Sequence, residues 1–323
     1  MKQFAYAETT AAMGEFSGRI CIRIAQGRLP LSWRPFSCLD GGGYQIMGKL
    51  IFLDIDGTIV APWKKPSRVT IEAIRAARAN GHRVFISTGR VETDVNEYIQ
   101  SIGFDGGIYN AGGRAVVNGT EILNRPMPVK LVQQITDVIE LGKLVYMLEG
   151  AYGTYIIKNG ELSPIDMEQF YASGESYRTL DERRRGLKQV WSPEHREYPV
   201  YKIDFLTESR VKSEWLGEEL RDIAKVVCFD TLVSDLPLTI GEVSDWDINK
   251  GKALYAICQY LNVAPSDCIA FGDSMNEAEI LQAAGIGIAM ANSEAGVKEI
   301  ADQVCESCDE DGVAKAFARM NLI

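Results

Sequence analysis

Residues 50–58 read Leu50-Ile51-Phe52-Leu53-Asp54-Ile55-Asp56-Gly57-Thr58, an apolar run followed by two aspartates and a glycine. Because a short run of large apolar residues is typical of a strand buried on both faces, we interpret Leu50–Leu53 as a strand of a parallel sheet. Side chains alternate along a strand, so Asp54 and Asp56 should lie on the same side where it ends. In open α/β sheets, ligands bind beyond the carboxyl ends of the strands. The stretch therefore predicts both a parallel sheet and a site at its edge.

Two carboxylates at such an edge can divide the work of phosphoryl transfer. One attacks phosphorus to form an aspartyl-phosphate, and the other handles protons for the leaving group and for water. A plain strand-to-turn signal is the competing interpretation, since Asp and Gly tolerate the backbone angles of turns. A calcium loop beginning at Asp54 is excluded, because it needs Gly and Glu where the chain has Ile59 and Lys65.

Composition narrows the functional classes further. The chain has 323 residues, 46% of them hydrophobic, and a formal net charge of −10 with the charges mixed along the sequence. Nothing suggests a basic groove for nucleic acid, and no apolar stretch reaches the roughly 18 residues of a membrane span. The seven scattered cysteines favour reduced thiols in a cytoplasmic protein, and we interpret the Cys305-x-x-Cys308 spacing as incidental.

Residues 1–46 differ from the rest of the chain. They show neither a sustained helical or strand period nor a signal-peptide pattern. Met47 directly precedes the first predicted strand. We therefore hypothesise that translation starts at Met47; the alternative is a genuine arm that is disordered or loosely packed.

The next segment alternates between helix and strand. A helix is predicted up to residue 79, ending at Asn80-Gly81, and a strand over 83–87 follows it. A further helix over 91–102 and a strand around 107–109 continue the pattern. Such βαβ units are right-handed and place their strands in parallel, which predicts an α/β fold with a Rossmann-like core.

The pattern changes near residue 125. A helix, two strands at 143–149 and 152–158, a strand at 201–206, a helix at 209–222 and a strand at 225–229 indicate an inserted α+β cap domain. Parallel α/β then resumes with a helix from about residue 251, strands at 268–271 and 286–290, and a helix at 277–284. We thus expect a core of residues 47–125 and 237–323 and a cap of residues 126–236.

Thr88 gives a second site signal. It follows the predicted strand 83–87, at what should be the start of a helix, so its hydroxyl and the free N–H groups around Gly89 could hold a phosphate oxygen. Arg90 could add a bidentate contact to phosphate or substrate. A simple helix cap is the competing interpretation of Thr88.

Two further signals follow the cap. Lys250, at a predicted helix start, could screen an aspartate nucleophile and help bind a phosphoryl group, although solvated lysines would also fit there. Asp273 repeats the pattern of an acid at a strand end. With Glu277 it would supply a third and a fourth carboxylate for a Mg²⁺ site, while a turn remains the alternative. We assign Asn276, between them, to phosphate or substrate binding.

With these motifs in this order, the sequence resembles the haloacid dehalogenase (HAD) superfamily, in particular its Cof-like phosphatases of subclass IIB with a large α/β cap. The match runs from Met47 to the C-terminus and includes Asn110-Ala111-Gly112-Gly113. The resemblance implies these roles: nucleophile at Asp54, general acid and base at Asp56, phosphate binding at Thr88, stabilisation of nucleophile and phosphoryl group at Lys250, and Mg²⁺ binding at Asp54, Asp273 and the backbone carbonyl of Asp56.

Two departures accompany the resemblance. The fourth motif of the family usually ends in Asp where this chain has Glu277, so a metal contact there could be direct or through water. The stretch at Asn110 is richer in glycine than usual. We expect a Mg²⁺-dependent phosphatase, monomeric or a small homo-oligomer, acting on sugar phosphates, phosphorylated cofactors or similar small metabolites. The alternatives are a phosphosugar mutase and a phosphate-ligand sensor with little turnover.

Overall fold

The computed structural model describes residues 48–61, 64–150, 153–157, 199–207, 209–233 and 236–323. The expectations for residues 1–46 fall outside this part of the chain. Among the described helices, none is long and apolar enough to cross a membrane.

Thirteen strands are present in the described residues. In chain order they are β1 (Leu50–Leu53), β2 (Arg83–Ser87), β3 (Gly106–Tyr109), β4 (Arg114–Val117), β5 (Thr120–Asn124), β6 (Val145–Gly150), β7 (Gly153–Ile157), β8 (Val200–Thr207), β9 (Lys225–Val233), β10 (Leu236–Ser244), β11 (Cys268–Gly272), β12 (Ile286–Met290) and β13 (Gln303–Cys305). The α-helices of the same residues are α1 (Arg68–Ala79), α2 (Glu97–Gln100), α3 (Val129–Leu141), α4 (Arg210–Glu219), α5 (Lys250–Leu261), α6 (Ala278–Ala283), α7 (Ala295–Ile300) and α8 (Gly312–Arg319).

The core is an eight-stranded sheet of order β13-β12-β11-β1-β2-β3-β4-β5. Its strands from β13 to β3 are parallel, and the hairpin β4–β5 adds an antiparallel edge. The fold class predicted from the sequence, α/β with a parallel core sheet, is confirmed. β1 lies between β11 and β2, so the acid motif stands near the middle of the carboxyl edge, where ligand sites of such sheets form.

Helices cover both faces of this sheet because the side chains of each strand alternate. Ile51 and Leu53 pack with α1 and α8 in one apolar cluster, whereas Leu50 and Phe52 pack with α5 and α6 in another. Phe52 also stacks on Phe85 of β2, with ring centroids 5.3 Å apart. Burial on both faces explains why β1 is apolar throughout.

The helix predicted over 91–102 is wrong as a single element. A 3₁₀ turn over Glu92–Asp94 is followed by extended backbone at Val95. Asn96 then caps the short α2 by accepting a hydrogen bond from the Ile99 N–H at 2.8 Å. Because the Asn side chain competes for backbone donors, the chain restarts a helix here instead of continuing one. The helix start expected at Thr88 is also absent, since the residues after Thr88 form bends before the 3₁₀ turn.

A second, antiparallel sheet has the order β7-β6-β8-β10-β9. α3 and α4 pack on one of its faces through a cluster that includes Ile139, Leu216 and Phe205. β10 was not predicted from the sequence, and it stays in this sheet as far as Ser244. The sheet thus continues beyond residue 236, where we expected the core to resume.

Candidate active site

The loop after β1 is a tight turn that carries both aspartates. Asp54 is buried, and its N–H donates to the Phe271 carbonyl at 3.2 Å, which ties the end of β1 to β11. Gly57 has φ +78°, and its N–H donates to the Val60 carbonyl at 2.8 Å. A Cβ on Gly57 would lie 2.0 Å from Asp273 Oδ2, so only glycine lets this turn approach Asp273.

Lys250 is the first residue of α5. Asn249 caps the helix by accepting a hydrogen bond from the Lys252 N–H at 2.8 Å. The Lys250 ammonium lies 3.1 Å from Asp54 Oδ1 and also donates to Glu277 Oε1, and all three side chains are buried. Burial alone would lower the pKa of Lys250, but the two carboxylates raise it above its usual range. The lysine is therefore held charged against Asp54.

Glu277 has hydrogen-bond partners on both carboxylate oxygens. Oε1 accepts from Lys250, while Oε2 accepts from the Ser274 N–H at 2.9 Å and from the Ser274 hydroxyl at 2.8 Å. Ser274 and Glu277 thereby form a capping box on the turn that follows β11. Glu277 links that turn to Lys250.

Three carboxylates crowd together at this edge of the sheet. Oxygens of Asp54, Asp273 and Glu277 lie within 4.8 Å of one another. Burial raises the pKa of Asp54 to about 8. Lys250 opposes this shift only in part, and the charges of Glu277 and Asp56 add to it. Burial together with Glu277, Asp54 and Asp56 raises the pKa of Asp273 to about 9. Such an excess of oxygen donors and negative charge fits a divalent cation such as Mg²⁺.

Asp56 has a more open setting than Asp54. Its side chain is 49% exposed and accepts two hydrogen bonds from the Arg90 guanidinium, on Oδ1 and Oδ2. Both carboxylates come from one loop, yet one is buried beside a lysine and the other reaches solvent beside an arginine. Arg90, predicted to contact phosphate, is used here to hold Asp56.

Thr88 and its neighbours meet the turn after β11. Thr88 is buried at the end of β2, and its hydroxyl accepts a hydrogen bond from the Arg90 N–H at 3.2 Å. A Cβ on Gly89 would lie 3.9 Å from Asn276 Nδ2, so the two predicted phosphate-binding segments adjoin. Asn276 Oδ1 lies 2.6 Å from the Ser274 hydroxyl oxygen, so the Asn276 amide stays beside the turn that follows β11.

Several residues near the site were not singled out as site residues from the sequence. Asn292 donates to the Gly57 carbonyl at 2.8 Å and fixes the acid turn; its place after β12 was the available signal. Asn110 is fully buried with φ +52°, and its amide has no hydrogen-bond partner within the described part of the chain. Lys202 and Glu242 of the second sheet lie against Gly89, and no sequence motif marked them.

Comparisons with known proteins agree with this geometry. A family model described as haloacid dehalogenase-like hydrolase matches residues 51–317. Phosphatase YwpJ of Bacillus subtilis is 27% identical over 286 residues, which is 82% of this chain and 97% of the relative. The phosphatase YcsE of the same organism, which acts on 5-amino-6-(5-phospho-D-ribitylamino)uracil, is 29% identical over 83% of this chain and 94% of its own length. A solved structure of a HAD subclass IIB sugar phosphatase superposes with a TM-score of 0.69 at 23% identity, covering 85% of this chain and 100% of that chain.

Proposed function

The chain belongs to the haloacid dehalogenase-like hydrolases and is a phosphatase, and from this premise we propose that it hydrolyses small phosphorylated metabolites through an aspartyl-phosphate, with Mg²⁺ as cofactor. The observation that carries the proposal is the buried ammonium of Lys250, 3.1 Å from Asp54 and hydrogen-bonded to Glu277 as well. The ammonium fixes this carboxylate in position and stabilises its charged form, which is the form that attacks phosphorus.

In the first step, Asp54 attacks phosphorus. A bond forms between an Asp54 carboxylate oxygen and phosphorus while the bond from phosphorus to the ester oxygen breaks. Lys250, preorganised by Glu277 and Asn249, offsets negative charge on the transferring group and needs no reorganisation during the reaction.

Asp56 serves as the general acid and base. Its exposed position places it where a leaving group and water can reach it, and Arg90 orients its carboxyl group. Asp56 donates a proton to the departing ester oxygen and later accepts one from the water that hydrolyses the aspartyl-phosphate. Burial beside Lys250 suits Asp54 for attack, whereas exposure suits Asp56 for proton transfer.

Asp54, Asp273 and the backbone carbonyl of Asp56 would hold the Mg²⁺. When bound, the ion supplies positive charge that offsets the crowded carboxylates and the phosphoryl group. We assign Glu277 a positioning role, because its two oxygens already bind Lys250 and Ser274. It contributes charge near the ion and keeps Lys250 in place.

The phosphate oxygens would be bound by the Thr88 hydroxyl, the Gly89 N–H and the Asn276 amide, which adjoin one another. We propose that the five-stranded sheet and its helices form the cap, extending from residue 126 through Ser244 and thus somewhat past the boundary that the sequence predicted. Closing over the core, it would exclude bulk water and select the leaving group. Likeness to a sugar phosphatase and to a ribitylaminouracil-phosphate phosphatase supports phosphorylated sugars or cofactors as substrates.

Phosphate release from a panel of sugar, nucleotide and cofactor phosphates tests the proposal. We expect turnover with Mg²⁺, loss of turnover with EDTA, and loss of turnover in Asp54→Asn. Asp309→Asn is the matched control, because it removes an exposed carboxylate whose partner is Lys64. Folded protein with Mg²⁺ that releases no phosphate from any member would overturn the proposal and favour a ligand sensor. Turnover that requires a sugar bisphosphate as activator would favour a mutase.

A further inference from the structure

A second group of buried charges lies on the five-stranded sheet, which we call the cap sheet. We call it the Lys202 cluster, and its members are Glu149 on β6, Lys202 and Asp204 on β8, and Glu242 on β10. These strands are neighbours, and in their register Glu149 pairs with Lys202 and Asp204 pairs with Glu242. Because side chains alternate along strands, all four lie on the face opposite α3 and α4.

Lys202 is the centre of the cluster. Its ammonium lies 2.6 Å from Glu242 Oε1, 3.1 Å from Asp204 Oδ1 and 3.4 Å from Glu149 Oε2. Lys202 is 4% exposed, and Glu149 and Asp204 are each 8% exposed. Burial would lower the pKa of Lys202, but the three carboxylates raise it, so the lysine stays charged.

The cluster holds more acid than its lysine neutralises. Three carboxylates face one ammonium, and burial and mutual repulsion raise the pKa of both Glu149 and Asp204. The Lys202 ammonium is shared between buried Glu149 Oε2 and Asp204 Oδ1 and the nearer Glu242 Oε1. One ammonium leaves negative charge in the cluster unbalanced, and a further cation or hydrogen-bond donor would offset it.

The cluster faces the phosphate-binding loop. A Cβ on Gly89 would lie 3.3 Å from Glu242 Oε1 and 3.7 Å from Lys202 Nζ. Asp94, in the 3₁₀ turn that follows Arg90, is close enough to raise the pKa of Glu149 further. Both ends of the cluster thus border the segment that begins at Gly89. A phosphate ester bound there would direct its leaving group between this segment and the cap.

We propose that the Lys202 cluster binds the leaving group of the substrate and selects by charge, accepting neutral polyhydroxyl or ammonium-bearing groups and rejecting those that carry a second negative charge. The inference rests on the proposed phosphatase function and deepens it. The carboxylates of the cluster accept hydrogen bonds from hydroxyl or ammonium donors, which offset their excess negative charge. Lys202 already faces three carboxylates, so it offers no net positive charge to an incoming anion.

Electrostatic repulsion determines how strongly the Lys202 cluster discriminates against a negatively charged leaving group. A carboxylate on the leaving group would lose its hydration beside three acids, and like charges brought together at a buried site repel each other strongly. A hydroxyl at the same place gains hydrogen bonds and meets no repulsion. We therefore expect discrimination of at least about 100-fold between otherwise similar esters.

Three six-carbon phosphates form a matched probe set. Glucose 6-phosphate has a neutral leaving group, glucosamine 6-phosphate a cationic one and 6-phosphogluconate an anionic one. We expect the first two to inhibit p-nitrophenyl phosphate hydrolysis at concentrations at least about 100-fold lower than the third. The same order is expected in thermal shifts of Asp54→Asn protein, which report binding without turnover.

Substitutions in the Lys202 cluster test whether it causes the discrimination between leaving groups. Glu242→Gln and Asp204→Asn are expected to narrow the ratio between glucose 6-phosphate and 6-phosphogluconate by about tenfold or more. The matched control is Glu279→Gln, which removes a carboxylate from the separate ion pair between Lys225 of β9 and Glu279 of α6 and should leave the ratio unchanged.

Two outcomes would overturn the inference. One is equal or stronger binding of 6-phosphogluconate, and the other is binding of all three sugars no tighter than that of inorganic phosphate. Failure of the proposed function is a different result, because it appears as absent hydrolysis of p-nitrophenyl phosphate. The order of the thermal shifts can be read in either case.

Discussion

Two buried lysines mark two regions that are built in different ways. Lys250 begins a helix of the core and meets Asp54 and Glu277, which come from two other segments of the chain. Lys202 lies in the middle of a strand of the cap sheet, and its acidic partners stand on the same or neighbouring strands. Each lysine is charged and surrounded by carboxylates.

The two regions differ in the groups that surround each lysine. Both oxygens of Glu277 accept hydrogen bonds from Lys250 or Ser274, so the core holds its proposed catalytic groups in one arrangement. In the Lys202 cluster, three carboxylates share one ammonium, and part of their negative charge stays unbalanced. A site for one fixed reaction benefits from preorganisation, whereas a site that recognises part of a substrate needs charge that its own groups do not fully balance.

The largest expected effect is that of Asp54→Asn, because it removes the proposed nucleophile from the core. We expect kcat to fall by about 10⁴-fold or more, since loss of a nucleophile leaves only binding and electrostatic terms. Steady-state phosphate release is the measurement, and Asp309→Asn is the control for the loss of one carboxylate. Turnover comparable to that of the parent protein would remove Asp54 from the mechanism and end the contrast between the regions.

Replacing each lysine compares the regions directly. Lys250→Met and Lys202→Met should each lower the free energy of unfolding by about 3–5 kcal/mol, because each leaves buried carboxylates unpaired. Lys250→Met should also lower kcat for p-nitrophenyl phosphate by about 10²–10³-fold, and Lys202→Met far less. Urea denaturation and kinetics measure the two effects, with the exposed Lys64→Met as control. Equal losses of kcat would show that both lysines serve the chemistry.

Two substrates with different leaving groups test the role of Asp56. Asp56→Asn should lower kcat for an alkyl phosphate by about 100-fold or more, since an alkoxide needs a proton to depart. The effect on p-nitrophenyl phosphate should be much smaller for the first step, because its phenolate leaves unprotonated. Burst kinetics that separate the two steps provide the measurement. A loss of the same size in the first step for both substrates would assign Asp56 to positioning instead of acid catalysis.

Metal removal has the smallest expected effect on stability and also tests the core alone. Mg²⁺ at 100 times its Kd should stabilise the parent by about 2.7 kcal/mol and raise Tm by a few degrees. Asp273→Asn should lose this shift, whereas Asp204→Asn, in the Lys202 cluster, should keep it. Thermal denaturation with Mg²⁺ and with EDTA measures the shift. Loss of the shift in Asp204→Asn instead would place the ion in the cap.

Much of the core was predictable because its signals are local. The acids at the ends of β1 and β11, Thr88 at the end of β2 and Lys250 at a helix start stand where strands or helices change into loops. The predicted helix over 91–102 failed for an equally local reason, since Asn96 captures the N–H of Ile99. The hydrophobic period and the composition of residues 91–102 did not show that the Asn96 side chain competes for a backbone N–H.

The sequence by itself determined the parallel core and the set of groups at its carboxyl edge, because strand topology carries those groups to one place whatever the details of packing. Only the tertiary structure decided that Glu277 spans Lys250 and Ser274, that Asp56 pairs with Arg90, and that a Lys202 cluster exists. β8 is buried along its whole length, so its sequence does not show which face meets the core. The register with β6 and β10 decides which acids meet Lys202, and register is set by packing across the sheet.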